Sequence, residues 1–124
     1  MDELLADARR RIHRVAPERL DRVWAEGGIV VDIRPEAQRG AEGELEGAVI
    51  VERNVLEWRL DPDGAHRIPE VRDHEQQVVV VCSEGYASSL AAASLVDIGF
   101  TRAGDLDGGY AAWRVWSDRK VVRL

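Results

Sequence analysis

Cys82 is the only cysteine in this chain of 124 residues, and it directly follows four consecutive valines, Val78–Val81. Residues 89–98 then combine helix-forming residues with apolar spacing, so the chain turns there from a buried strand into a helix. A thiol at such a turn lies near the positive end of a helix dipole, which favours the thiolate. The position of Cys82 therefore predicts a reactive nucleophile, although a lone cysteine is often only a small buried side chain.

The loop after Cys82 can bind an anion through its backbone. Gly85 can adopt a positive φ, and the small residues beside it let successive N–H groups point inward as a nest. We expect Cys82 to be catalytic and the next six residues to bind the substrate: Ser83, Glu84, Gly85, Tyr86, Ala87 and Ser88. No histidine is near in sequence, so activation must come from amides and the helix dipole unless a distant histidine folds in.

Three chemistries use an activated thiolate in a loop of this kind: phosphoester cleavage, disulfide exchange and sulfur transfer. Phosphatase loops place an arginine six residues after the cysteine to bind phosphate, and this chain has Ser88 there. Dithiol exchange needs a resolving cysteine, which the sequence lacks. Sulfur transfer needs one thiol only, so the loop composition favours it.

Composition excludes several other classes. The net charge of −6 and pI near 5.1 argue against nucleic acid as the main partner. No apolar stretch approaches the roughly 20 residues of a membrane span, and the acidic start is unlike a secretory signal. With one cysteine and no signal, we expect a reduced, cytoplasmic protein. The three histidines are scattered, so we expect neither a metal site nor a cofactor.

One basic cluster stands out in this acidic chain, Arg9–Arg11 with Arg14. Charge runs near a terminus are usually solvated, which is the interpretation we favour. The alternative is a docking patch for an acidic partner.

The elements that must position Cys82 alternate between strands and helices. Predicted strands cover residues 12–15, 29–33, 48–51 and 78–81, with a short one near Ala103. Predicted helices cover residues 2–10, 68–74, 88–98 and about 109–116, with one opened by Pro17 and a short one capped by Asn54. Residues 34–47 are expected to be a turn and a polar loop, and the four tryptophans to lie in the core. This order predicts an α/β fold with a parallel sheet and helices on both faces.

Three motifs occur in an order that resembles a known family. The first is Val31–Arg34 with Glu36, followed by Gly43–Ala48. The second is Cys82–Gly85, and the third is Asp107–Trp113. Across residues 31–113 the chain is similar to a single-domain rhodanese, a thiosulfate or persulfide sulfurtransferase.

The resemblance implies a five-stranded parallel sheet in one domain, residues 1–124, with a motif-bearing core of about 12–117. It implies that Cys82 takes a sulfane sulfur from a small-molecule donor, holds it as a persulfide and passes it to a thiol or another nucleophile, which a protein could carry. The N–H groups of residues 83–88 would hold the outer sulfur. The alternative is a rhodanese-like carrier, sensor or protein-interaction module without efficient turnover.

Many thiosulfate-using relatives carry a basic residue in or just after the loop, whereas this chain has Glu84, Tyr86 and Ala87. Glu84 would repel a dianion, so we expect a less charged persulfide or polysulfide donor. In some relatives an arginine past the first motif points at the loop, which makes Arg39 a candidate substrate contact. Asp32 and Arg34 are expected to form an ion pair or hydrogen bonds beneath the loop.

Overall fold

A computed structural model describes residues 1–122, so residues 123 and 124 of the expected domain lie outside the described residues. The strands are β1 (His13–Val15), β2 (Ile29–Asp32), β3 (Val49–Ile50), β4 (Val78–Val81) and β5 (Ala103–Leu106). The helices are α1 (Asp2–Arg11), α2 (Leu20–Ala25), α3 (Glu36–Glu42), α4 (Leu56–Leu60), α5 (Ala87–Asp97) and α6 (Gly109–Val122). Short 3-10 turns at Pro17–Arg19 and Arg53–Val55 precede α2 and α4. Within residues 1–122 no helix is both long and apolar enough to cross a membrane.

The five strands form one parallel sheet in the order β1-β5-β4-β2-β3, which places β4 at its centre. Successive side chains of β4 point to opposite faces. Val78, Val80 and Cys82 join the core under α1, α4 and α5, and Val79 and Val81 join the core under α2 and α6. A strand covered on both faces reads as a continuous run of β-branched residues. The predicted five-stranded parallel sheet with helices on both faces is confirmed.

Two segments differ from the predicted elements. The expected loop after Pro35 contains α3, because Glu36 to Arg39 are good helix formers that outweigh the glycine at position 40. The expected helix at residues 68–74 is instead a series of turns. Pro69 disfavours a helical conformation at Ile68, which explains why that helix does not form.

The β3–α4 region also departs from the sequence predictions. β3 is a two-residue edge strand whose Ile50 is 51 % exposed, not a buried strand. Asn54 does not cap α4, which has no side-chain cap. The short α4 buries only Leu56 and Leu60, so Trp58 on its other side is 61 % exposed and the prediction that it lies in the core is wrong.

Candidate active site

The cysteine loop, residues 82–88, leaves the carboxyl end of β4 and leads into α5. Cys82 is only 8 % exposed, and its Sγ accepts the N–H of Gly85 at 3.2 Å and the N–H of Ser88 at 3.3 Å. Gly85 has φ 87°, the positive value that this curl of the backbone requires. The sulfur therefore lies where two backbone dipoles and the start of an eleven-residue helix favour negative charge.

Three further N–H groups of the loop have no hydrogen-bond partner within residues 1–122 of the protein. Among the described residues, the N–H groups of Glu84, Tyr86 and Ala87 donate to no protein acceptor. The N–H groups of Gly85 and Ser88 contact the sulfur as a nest would, and binding of substrate by the whole of residues 83–88 stays a prediction.

The start of α6 packs directly against this loop. The N–H of Tyr110 donates to the Cys82 carbonyl at 2.8 Å, and the N–H of Ala111 donates to the Ser83 carbonyl at 3.0 Å. Gly109 has φ 65°, and a Cβ there would lie 2.6 Å from the Cys82 carbonyl oxygen and 2.7 Å from the N atoms of two loop residues. Only glycine allows the two backbones to approach so closely.

The Asp32 network supports the loop beside Ser83. Arg34, which is 3 % exposed, donates to Asp32 through Nη2 at 2.7 Å and Nε at 3.0 Å, which confirms the expected ion pair. Arg34 Nη1 lies 3.2 Å from Glu42, and the Ser83 hydroxyl lies 2.9 Å from the same carboxylate. The Arg34 guanidinium also stacks 4.1 Å from the ring centroid of Tyr110. Burial alone would lower the pKa of Arg34, but the hydrogen bonds and charges of Asp32 and Glu42 raise it.

The Asp105 network supports the loop from the other side. The Asp105 side chain at the end of β5 is fully buried and accepts the hydroxyls of Ser88 at 2.8 Å and Ser89 at 2.7 Å. Arg14 Nε, from the neighbouring strand β1, donates to the same carboxylate at 3.0 Å. A buried charge is tolerated only when it is paired and hydrogen-bonded, and these three residues satisfy that condition.

Two arginines of the N-terminal segment reach the loop itself. Arg14 Nη2 donates to the Gly85 carbonyl at 2.9 Å, and Arg9 Nη2 donates to the same oxygen at 2.8 Å. The Arg9 guanidinium also lies 5.5 Å from the ring centroid of the exposed Tyr86. Burial opposes the charge of Arg14, but Asp105, then Asp107 and Cys82, raise its pKa.

These contacts correct one expectation and add residues that the sequence analysis missed. Arg9 and Arg14 are not simply solvated, because each binds the loop carbonyl. Asp105 was missed altogether. The signal in the sequence was an acidic residue within the otherwise apolar segment Ala103–Leu106. In the structure β1 pairs with this segment, and Arg14 lies opposite Asp105.

The mouth of the loop is acidic and borders a cavity. Glu84 and Tyr86 are exposed, and a cavity of about 420 Å³ adjoins the loop. Its lining residues are Glu42, Ser83, Glu84, Tyr110, Ala111 and Arg114. Arg39 binds the Arg34 carbonyl and the Glu44 carboxylate, both at 3.3 Å, so its contact with substrate stays a prediction.

One group of possible metal ligands forms away from the cysteine loop. Asp61, Asp63 and His74 each offer a ligand atom, and these atoms lie within 4.8 Å of one another. The fold thus brings Asp61 and Asp63 to His74, which follows them at a distance in the sequence. That the protein functions without a bound metal ion stays a prediction.

Comparison with known proteins places this geometry in a family. Residues 16–115 match the rhodanese-like domain. The chain is 36 % identical over 101 residues to thiosulfate sulfurtransferase GlpE of Pseudomonas entomophila, which covers 82 % of this chain and 84 % of that protein. It is 33 % identical over 101 residues to GlpE of Pseudomonas aeruginosa, with coverage of 82 % and 83 %.

Solved structures share this fold. Protein RPA3614 of Rhodopseudomonas palustris, described as of unknown function and a possible tyrosine phosphatase, superposes with a TM-score of 0.83 and 26 % identity, over 94 % of this chain and 89 % of that one. The human single-domain sulfurtransferase TSTD1 superposes with a TM-score of 0.68 and 24 % identity, over 82 % and 95 % of the two chains. The chain belongs to the rhodanese-like domain family.

Proposed function

We propose that this protein is a rhodanese-type sulfurtransferase in which Cys82 carries the transferred sulfur as a persulfide. The observation that carries the proposal is a lone cysteine sulfur held by the N–H groups of Gly85 and Ser88 at the start of α5. The naming of the curated relatives as thiosulfate sulfurtransferases supports it. Ser88 stands where a phosphatase loop has its arginine, and its buried hydroxyl is engaged by Asp105, which disfavours phosphate chemistry.

The reaction follows from the geometry in two balanced steps. The Cys82 thiolate attacks the outer sulfur of the donor, and the donor S–S bond breaks as a Cys82 persulfide forms. The leaving group takes the bonding electron pair, as sulfite from thiosulfate or as a thiolate from a persulfide. An acceptor thiolate then attacks the outer sulfur and restores the Cys82 thiolate. The N–H groups of residues 83–88 hold the charge of the outer sulfur between the two steps.

The mouth of the site selects against highly charged donors. Glu84 is exposed beside the 420 Å³ cavity, and Glu42 lines the same cavity. The exposed Glu84 carboxylate repels an approaching dianion such as thiosulfate, whereas a persulfide or polysulfide carries less charge. Glu42 adds little, because Arg34 pairs with it at 3.2 Å. A small-molecule persulfide donor and a thiol acceptor therefore fit best, and a cationic face on an acceptor protein would complement the Glu84 carboxylate. We assign this activity to a single domain acting in the reducing cytoplasm.

Intact mass spectrometry tests the proposal. The protein is incubated with thiosulfate or with glutathione persulfide, and the mass of one added sulfur atom is expected on the wild type. Cys82→Ser is expected to gain no sulfur. Steady-state transfer to cyanide and to thiols then follows, and saturable turnover is the expected result. A wild-type protein that gains no sulfur from either donor, or a Cys82→Ser variant that gains it equally, contradicts the proposal.

The second candidate function is a persulfide carrier or sensor, favoured by one observation, the exposed Glu84 carboxylate in the cysteine loop. A carrier loads one sulfur per molecule and does not release it to small acceptors. Stoichiometric loading without turnover in the same experiment would favour this candidate over the enzyme.

A further inference from the structure

We propose that Arg9 and Arg14 are positioning residues that clamp the Gly85 carbonyl and so orient the cysteine loop for an anionic sulfur. The inference rests on the proposed function and extends it to residues 1–15, which precede the region that matches the family. The two guanidinium groups reach one carbonyl oxygen from α1 and from β1, at 2.8 Å and 2.9 Å.

The clamp acts through the geometry of one peptide group. In a trans peptide, the carbonyl of Gly85 and the N–H of Tyr86 point in opposite directions. Because both arginines fix the direction of the carbonyl, they also fix the direction of the Tyr86 N–H, which points away from them. The N–H of Gly85 already donates to Cys82 Sγ. The clamp thus fixes the direction of a donor that would otherwise rotate with a glycine-containing loop.

The clamp is itself held in place. Arg14 is fixed by the buried Asp105 through Nε at 3.0 Å and Nη2 at 3.2 Å, and by Asp107 through Nη1 at 3.0 Å. Arg9 Nε donates to Ser89 Oγ at 3.1 Å. Since the guanidinium group presents its donors in a rigid fork, each arginine can bind its support and the carbonyl at the same time.

The clamp also supplies the positive charge that the loop sequence lacks. Burial lowers the pKa of Arg14, but Asp105, Asp107 and, least of all, Cys82 raise it. Arg9 and Arg14 stabilise a thiolate or persulfide through the Gly85 peptide group, whereas Glu84 is exposed to the approaching donor. This arrangement separates stabilisation of the sulfur anion from recognition of the donor.

Arg9→Met and Arg14→Met test the clamp, with Arg10→Met as the matched control. Arg10 lies on the same helix as Arg9, and its hydrogen bond is to exposed Asp7, so the control removes the same charge without touching the loop. We expect the rate of sulfur transfer to fall about 10- to 100-fold in the first two variants, the range expected for loss of a hydrogen bond to a charged group. The loss is expected in kcat, with KM for the donor changed less than about twofold, because the clamp does not contact the donor.

The alkylation rate of Cys82 is a second readout. It distinguishes the clamp from a purely structural role of the arginines, and it does not depend on sulfur transfer. Alkylation of Cys82 by iodoacetamide at fixed neutral pH requires the thiolate but no sulfur transfer. We expect slower alkylation in Arg9→Met and Arg14→Met, and partial recovery in Arg9→Lys, which keeps the charge. Arg9→Met leaves the Asp105–Arg14 pair in place, so it remains informative if Arg14→Met does not fold.

Transfer and alkylation rates equal to those of Arg10→Met, normalised to folded protein, would overturn the clamp. If the wild type transfers no sulfur, the proposed function fails, and the alkylation rates still decide whether the clamp exists.

Discussion

The cysteine loop is supported by two buried ion-pair networks that differ in how their members are brought together. In the Asp32 network, Asp32 and Arg34 are two residues apart at the end of one strand. In the Asp105 network, Arg14 and Asp105 are 91 residues apart and meet because β1 pairs with β5. The first network contacts the loop through the Ser83 side chain, and the second holds the Gly85 carbonyl. The local pair thus supports the loop at Ser83, and the long-range pair holds the peptide group at Gly85.

Arg14 and Arg34 share one property. Burial would lower the pKa of each guanidinium group, but its carboxylate partners raise it. A raised pKa in the folded state stabilises the protein below the unfolded pKa, and this contribution is lost only as pH rises through the folded pKa. For arginine that window lies in strong alkali. Both ion pairs therefore retain their cations throughout the neutral range, and neither arginine should produce a pH dependence there.

Breaking the Asp32 network should have the largest effect on stability. Arg34→Met leaves the carboxylate of Asp32 buried without its cation, so we expect the free energy of unfolding to fall by roughly 3–5 kcal/mol. Arg10→Met is the control, because Arg10 and its partner Asp7 are both exposed and the expected change is below about 1 kcal/mol. Urea denaturation measures both.

A comparison of Arg34→Met with Arg14→Met tests how the two networks differ in their effect on sulfur transfer. Sulfur transfer per folded molecule should fall less in Arg34→Met than in Arg14→Met, because only Arg14 holds a loop carbonyl. The reverse ranking would contradict the division of roles.

Sequence reasoning found the parts of the site that depend on neighbours in the chain. The valine run, Cys82, the turn at Gly85 and the Asp32–Arg34 pair are all local patterns, and the structure has each where it was predicted. The Arg14–Asp105 pair depends on strand register, which no local pattern encodes. The same limit explains Trp58, because burial of an aromatic side chain depends on which face of a short helix meets the sheet.

A glycine pair tests how closely α6 must approach the loop. Gly109→Ala would place a Cβ 2.6 Å from the Cys82 carbonyl oxygen at a positive φ, so we expect stability to fall by about 1–3 kcal/mol and sulfur transfer to fall with it. Gly40→Ala is the control, since nothing lies within 4 Å of its Cβ position in α3, and it should stabilise by up to about 1 kcal/mol. Thermal unfolding and transfer rates that respond alike in the two variants would contradict the close approach.

The smallest expected effect concerns Glu84, the exposed carboxylate of the cysteine loop. Glu84→Gln removes one exposed negative charge, so transfer from thiosulfate should rise about fivefold or more, since each unit of charge on the dianion costs about 1 kcal/mol at about 4 Å in water. Transfer from glutathione persulfide should change less. The ratio of the two kcat/KM values measures the effect, and an unchanged ratio would show that Glu84 does not select the donor.

Amide NMR of the wild type before and after sulfur loading tests the central claim most directly. If the nest holds the outer sulfur, the amide protons of Gly85, Tyr86, Ala87 and Ser88 should shift downfield on loading. The amide of Gly40 on α3 should not move. Loading confirmed by intact mass without a shift at any loop amide would contradict the account.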